Sequence, residues 1–164
     1  MNRPQVGVRI FVFNFETNKI LVIKNKNDNK WALPGGKLEY SEAFETCAKR
    51  ELHQVTNINI SDLDRFKFIC SFNAVDKNIG YHWAEINHLI TLTKEEEKLL
   101  LLTEESKEND EKVIESKENK SCNWEWVTFD EISKSFSNLY LSLQIFLTKY
   151  KIDSLEKILN LKSN

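Results

Sequence analysis

The chain has 164 residues, 41% hydrophobic and 29% charged, enough for one globular domain with a substantial core. Its formal net charge of -2 gives no global basic field, which excludes indiscriminate capture of a nucleic acid polymer or an anionic membrane; a phosphate ligand needs a local site. Cys47, Cys70 and Cys122 are far apart and form no C-x-x-C pair, which argues against a zinc site or a disulfide framework. No basic segment with an apolar core opens the sequence, and no apolar run approaches the ~18 residues of a membrane span. The expectation is a cytoplasmic protein without membrane association.

Residues 6–15, "VGVRIFVFNF", alternate and are rich in β-branched and aromatic side chains, and "KILVIK" follows after the turn-like "ETN", which predicts an antiparallel strand pair. The polar run "KNKNDNK" reads as a surface loop leading to the short apolar "WALP". Ser41 is placed to cap a helix with Glu42 and Glu45 in its first turn, and Phe44, Ala48, Leu52 and Val55 recur at helical spacing. "FKFICSF" and "HWAEINHLITLT" predict two more strands around the turn "DKNIG". Residues 94–121 are dominated by Lys and Glu and read as a charged, mobile insertion with a short helix at 96–102. "CNWEWVTFDEI" predicts a strand followed by a helix opened by Asp130 and Glu131, then an amphipathic stretch over 138–150 and a last helix from Asp153. No repeat or second domain is apparent, so the chain is read as a single domain over 1–164.

The segment from Leu33 to Ile58 concentrates the chemistry: Gly36, then Glu42 after five residues, then Arg50, Glu51 and Leu52 after seven more. These spacings resemble the front of the Nudix box, the signature of the Nudix (MutT-like) hydrolases. "LPGGKLEYSE", "TCAKRE" and "C-N-W-E-W-V" resemble, more narrowly, the purine nucleotide diphosphatase branch of that family. The resemblance implies an α/β/α sandwich with a mixed central sheet and the Nudix loop-helix-loop.

It also implies a chemistry. Cleaving a phosphoanhydride calls for a divalent cation, Mg²⁺ or Mn²⁺, held by hard oxygen ligands. Acids at i, i+3 and i+4 of a helix converge on one ion, which the family pattern R-E-U-x-E-E supplies. Here it ends Arg50, Glu51, Leu52, His53, Gln54, Val55: one carboxylate of three remains. The family glycines become Ser41 and Asn57, mild changes beside Val55, which offers no ligand atom.

Residue by residue, the resemblance implies Arg50 and Glu51 as catalytic residues, with Arg50 orienting the carboxylate; the alternative for Arg50 is a surface ion pair with Glu45 or Glu51. The metal ligands it implies are Glu51, Glu39 and the carbonyl of Gly36, with Glu42 the more structural of the loop acids. Lys24, Lys37 and Tyr140 are nucleotide contacts, against solvation for the lysines and core packing for Tyr140. His53 reads as solvent-exposed, His82 and His88 as hydrogen-bonded structural residues, and Trp124 and Trp126 as strand packing with one at a pocket wall. The missing base falls to Glu39 or a glutamate of the insertion.

The implied function is metal-dependent hydrolysis of a nucleoside diphosphate linked to another group, in particular a nucleoside triphosphate to monophosphate and pyrophosphate. The alternative is a catalytically impaired nucleotide-binding module, because Gln54 and Val55 replace family carboxylates. The branch is commonly homodimeric.

Overall fold

The computed structural model describes residues 3–109 and 123–150. The last helix expected from Asp153, and the part of the insertion over 110–122, lie outside the described residues.

Strand β1 (Gln5–Asn14) organises the sheet because it is long and its apolar centre is buried on both faces. Val8, Ile10 and Val12 face one side; Phe11 and Phe13 face the other. Strands β2 (Lys19–Lys24), β3 (Trp31–Ala32), β4 (Gly35–Lys37), β5 (Lys67–Asp76), β6 (Tyr81–Ile90) and β7 (Asn123–Thr128) complete a seven-stranded sheet. Its main path is β3-β2-β1-β6-β5, with β4 on β1 and β7 on β2. β1 runs parallel to β6 and antiparallel to β2 and β4, so the sheet is mixed.

Helices cover both faces, as expected of an α/β/α sandwich. On one, α1 (Phe44–Thr56) and α2 (Lys94–Asn109) close a core of Val8, Ile10, Leu21, Ala48, Leu52 and Leu100. On the other, α3 (Phe129–Lys134) and α4 (Leu141–Lys149) close a core of Phe11, Phe13, Phe72, Phe129, Leu143 and Phe146. α3 begins with a capping box: the Thr128 hydroxyl accepts from the Glu131 amide, and the Glu131 carboxylate accepts from the Thr128 amide.

Three expectations need correction. α1 starts after Ala43, not at Ser41, and no side chain caps it; Ser41 instead adopts a left-handed conformation with φ 64°, which turns the chain into the helix. The buried face of α1 is Cys47, Ala48, Glu51, Leu52 and Thr56, while Phe44 is exposed, because the helix meets the sheet along a stripe that includes a carboxylate. Beyond the polar run read as a loop, β3 and β4 add two strands that the sequence did not show, each too short to carry a pattern of its own. The expected helix at 96–102 is the inner part of a longer one. At the other end of α1, Asn57 is left-handed (φ 61°) and its amide donates to the His53 carbonyl at 2.7 Å, the cap expected of it.

Candidate functional site

The loop before α1 and the helix itself converge on the guanidinium of Arg50. Nε donates to Glu42 Oε1 at 2.9 Å and Nη2 to Glu42 Oε2 at 3.0 Å, a two-pronged pair; Nη1 donates to Glu51 Oε1 at 2.6 Å and Nη2 to the Lys37 carbonyl at 3.0 Å. One side chain thus ties β4, the loop and the helix. Glu42, rather than Glu45, is its second acid, and Glu42 also accepts from the Glu39 amide at 3.0 Å. The Arg50 hydrogen bonds hold the Glu42 carboxyl down at about 2, so it stays ionised. Cys47 lies under the clamp, 3.5 Å from Arg50 Nη2, and burial pushes its thiol up to about 12, leaving it protonated.

Glu51 is 8% exposed and lies directly on Gly36, where any Cβ would overlap its carboxylate. The glycine is there for close approach. Gly35, its neighbour, sits on the opposite side of β4 against Arg9, and a Cβ there would overlap the Val8 carbonyl oxygen. Two consecutive glycines therefore place β4 between the Glu51 carboxylate and the residues of the far sheet face.

On that far face is a cleft of about 300 Å³ lined by Arg9, Leu33, Trp83, Asn87, Tyr140 and Ser142 among others. Tyr140 belongs to it, and its hydroxyl accepts from Asn25 Nδ2 at 2.6 Å and donates to Asp28 Oδ2 at 3.0 Å, pinning the polar loop after β2 at the cleft edge. Trp124 and Trp126 pack against the α1-side core, and neither lines the cleft. Sequence reasoning missed Arg9, Glu85 and Asn87; the available signal was a charged or amide side chain inside otherwise apolar strands.

Lys37 is exposed on β4 and Lys24 is half-buried at the end of β2. Glu39 is exposed. The first acids of α2 are engaged elsewhere: Glu96 takes a two-pronged pair from Arg65 at 2.6 and 2.8 Å, and Glu97 accepts from Asn14 at 2.9 Å. Asn14 lies five residues beyond Arg9 on β1, roughly 17 Å along the strand, so these acids are remote from Glu51. His82 bonds Asn73 at 3.1 Å, whereas His88 departs from expectation: it is buried with Nδ1 unpartnered among the described residues, and Nε2 lies 3.8 Å from Glu45 Oε1.

For a divalent cation the donor set is small. Glu51 Oε2 has no hydrogen bond among the described residues, and Gln54, at i+3, carries a neutral amide oxygen, but Val55 carries none. No group of three His, Cys, Asp or Glu side chains is placed to hold a metal among the described residues. Mg²⁺ in phosphoryl-transfer sites is held by one or two carboxylates, waters and the substrate's phosphates, so this set fits a cation arriving with its nucleotide rather than one in an all-protein cage.

A family model described as NUDIX domain matches residues 3–144. The RNA pyrophosphohydrolase of Pelagibacter ubique (strain HTCC1062) is 25% identical over 157 residues, 94% of this chain and 92% of that protein. Of solved structures, a NUDIX hydrolase from Nitrosomonas europaea aligns with a TM-score of 0.63 at 14% identity, covering 90% of this chain and 87% of that one. A bifunctional NMN adenylyltransferase/ADP ribose pyrophosphatase from Francisella tularensis, complexed with AMP and a Mn ion, aligns with a TM-score of 0.60 at 18% identity, covering 96% of this chain and 43% of that one. Both structural likenesses are of fold. Among the described residues no helix is long and apolar enough to cross a membrane. With the family model spanning most of the sequence, and Glu42 and Glu51 of its signature clamped in place by Arg50, the chain belongs to the Nudix hydrolase family, which acts on nucleoside diphosphate-linked substrates and generally uses divalent metal ions.

Proposed function

We propose that the protein hydrolyses a nucleoside triphosphate to monophosphate and pyrophosphate in the presence of Mg²⁺ or Mn²⁺. The observation that carries this reading is the Arg50 clamp: it holds Glu51 buried against Gly36 with one carboxylate oxygen unengaged. Glu51 and the Gly36 carbonyl are the proposed metal ligands, with Glu39 reaching in from the loop. Bound there, the cation would neutralise charge on the phosphate oxygens and orient water. Arg50 keeps Glu51 aimed, Glu39 accepts the proton from water, and Lys24 and Lys37 offset charge on the phosphates. Tyr140 helps to wall the cleft in which the nucleoside sits. The domain acts as one unit over 1–164, as a homodimer, in the cytoplasm.

Pyrophosphate and phosphate release from a nucleotide panel in Mg²⁺ and in Mn²⁺ tests the reading. Turnover that Glu51→Gln lowers roughly 100-fold or more supports it. The absence of a three-ligand group among the described residues favours a second reading, a binding module derived from an enzyme. That reading predicts turnover equal to the Glu51→Gln level, and hydrolysis only in Gln54→Glu/Val55→Glu.

A further inference from the structure

The cleft on the α4 side of the sheet holds a polar arrangement that no part of the Nudix box explains. Arg9 and Asn87 are direct partners in the β1–β6 register, so both side chains stand on the same sheet face with their strands about 4.8 Å apart. Both line the cleft.

Arg9 is fixed from several sides. Its Nε donates to Glu85 Oε2 at 2.9 Å and its Nη2, more weakly, to Oε1 at 3.4 Å; the Ser142 hydroxyl of α4 donates to the same Oε1. The guanidinium lies 5.8 Å from the centroid of the Trp83 ring. Glu85 has 0% side-chain exposure, and Gly7 leaves it room, since a Cβ there would sit 2.7 Å from Oε2. With both oxygens engaged and no exposure, Glu85 does not line the cleft. It pairs with the Arg9 guanidinium and holds it still. Arg9 Nη1 has no hydrogen-bond partner among the described residues. Asn87 gives its Nδ2 to the Cys70 carbonyl at 3.4 Å and retains Oδ1 as an acceptor.

The cleft therefore presents a donor beside an acceptor between walls of Tyr81, Trp83, Tyr140 and aliphatic side chains. Its volume, about 300 Å³, suits a flat ring system. The complementary ligand edge is an acceptor beside a donor, the C=O and N–H of a lactam. Hypoxanthine and guanine carry that edge at O6 and N1–H, uracil and thymine at O4 and N3–H. Adenine and cytosine carry the reverse, an amino donor beside a bare ring nitrogen.

We propose that Arg9 and Asn87 are specificity-determining residues that read the lactam edge of a nucleobase, with Glu85 and Ser142 as positioning residues for Arg9. The cleft then takes oxo bases in preference to amino bases, among purines and pyrimidines alike. This deepens the nucleotide reading above and rests on it.

Inosine and adenosine triphosphates differ at this edge and share sugar and phosphates, as do uridine and cytidine triphosphates. Thermal shift and pyrophosphate release are measured with all four in Mg²⁺. The expected result is a preference of at least about tenfold for each oxo member, collapsing toward one in Arg9→Met/Glu85→Gln, a double change that leaves no unpaired buried charge. Ser142→Ala lowers the ratio several-fold and Ser142→Thr restores it. Equal loss for both bases in Ser142→Ala overturns the positioning role, and this serine pair decides if the double variant fails to fold. Wild-type ratios near one, or ratios unchanged in the folded double variant, overturn the inference while leaving hydrolysis intact. A base preference in thermal shift without turnover supports the inference and instead overturns the hydrolytic reading.

Discussion

Ser41 is held at φ 64°, in the region where a Cβ meets the backbone and glycine is the comfortable residue. In the Nudix pattern that position is a glycine, so the substitution is a local strain inside an otherwise well-tied loop rather than a helix cap. Ser41→Gly relieves the steric cost and gives part of the gain back as unfolded-chain entropy. The expected outcome is a rise in stability of up to about 1 kcal/mol, read from urea midpoints at constant slope, whereas Ser41→Val lowers the midpoint. Asn57 is milder, because an asparagine side chain tolerates the same conformation at the helix end. The role of Glu51 cannot be separated from Gly36: the sequence shows a glycine and an acid fifteen positions apart, and only their packing explains why both residue types are needed.

Element boundaries depend on how much of the stabilisation is local. β1, β2, β5, β6 and β7 were legible because runs of β-branched and aromatic residues bounded by polar segments are written into each strand. β3 and β4, of two and three residues, exist because longer partners offer them hydrogen bonds. α1 was legible as a helix but started two residues late for the same kind of reason, since the loop before it is shaped by the Arg50 clamp and not by a capping side chain. α3 is the opposite case. Its six residues are too few to be stable alone, and both halves of its capping box are visible in "TFDE". Thr128→Ala is expected to cost about 1 kcal/mol in urea unfolding, with Phe129 and Ile132, which the cap holds in the α4-side core, loosened first.

Across the whole molecule the sheet separates two cores, and His88 is buried on the α1 side, beside Phe44 and Glu45, with an Nδ1 that has no partner among the described residues. Burial lowers its pKa below the ordinary 6.5, against an opposing pull from Glu45. The folded state thus binds this proton less readily than the unfolded chain. Its contribution to stability is complete above about pH 6.5 and is lost as pH falls below it. Urea midpoints are expected to drop as pH falls below about 6.5, by at most about 1.4 kcal/mol per pH unit, and His88→Leu should flatten that slope. The lowered carboxyl of Glu42 acts in a separate window, between its ordinary 4.5 and about 2, so the two can be told apart. The sequence by itself determined the fold class, the strand and helix periodicities and the Nudix loop-helix, because periodic burial and fixed spacing are properties of neighbouring residues. The tertiary structure decided the rest: that Glu42 and not Glu45 shares Arg50, that the acids opening α2 are remote from Glu51, and that Arg9, Glu85, Asn87 and Ser142 meet in one cleft. Those are juxtapositions of residues up to 133 positions apart, and only sheet register and helix packing bring them within reach of one another.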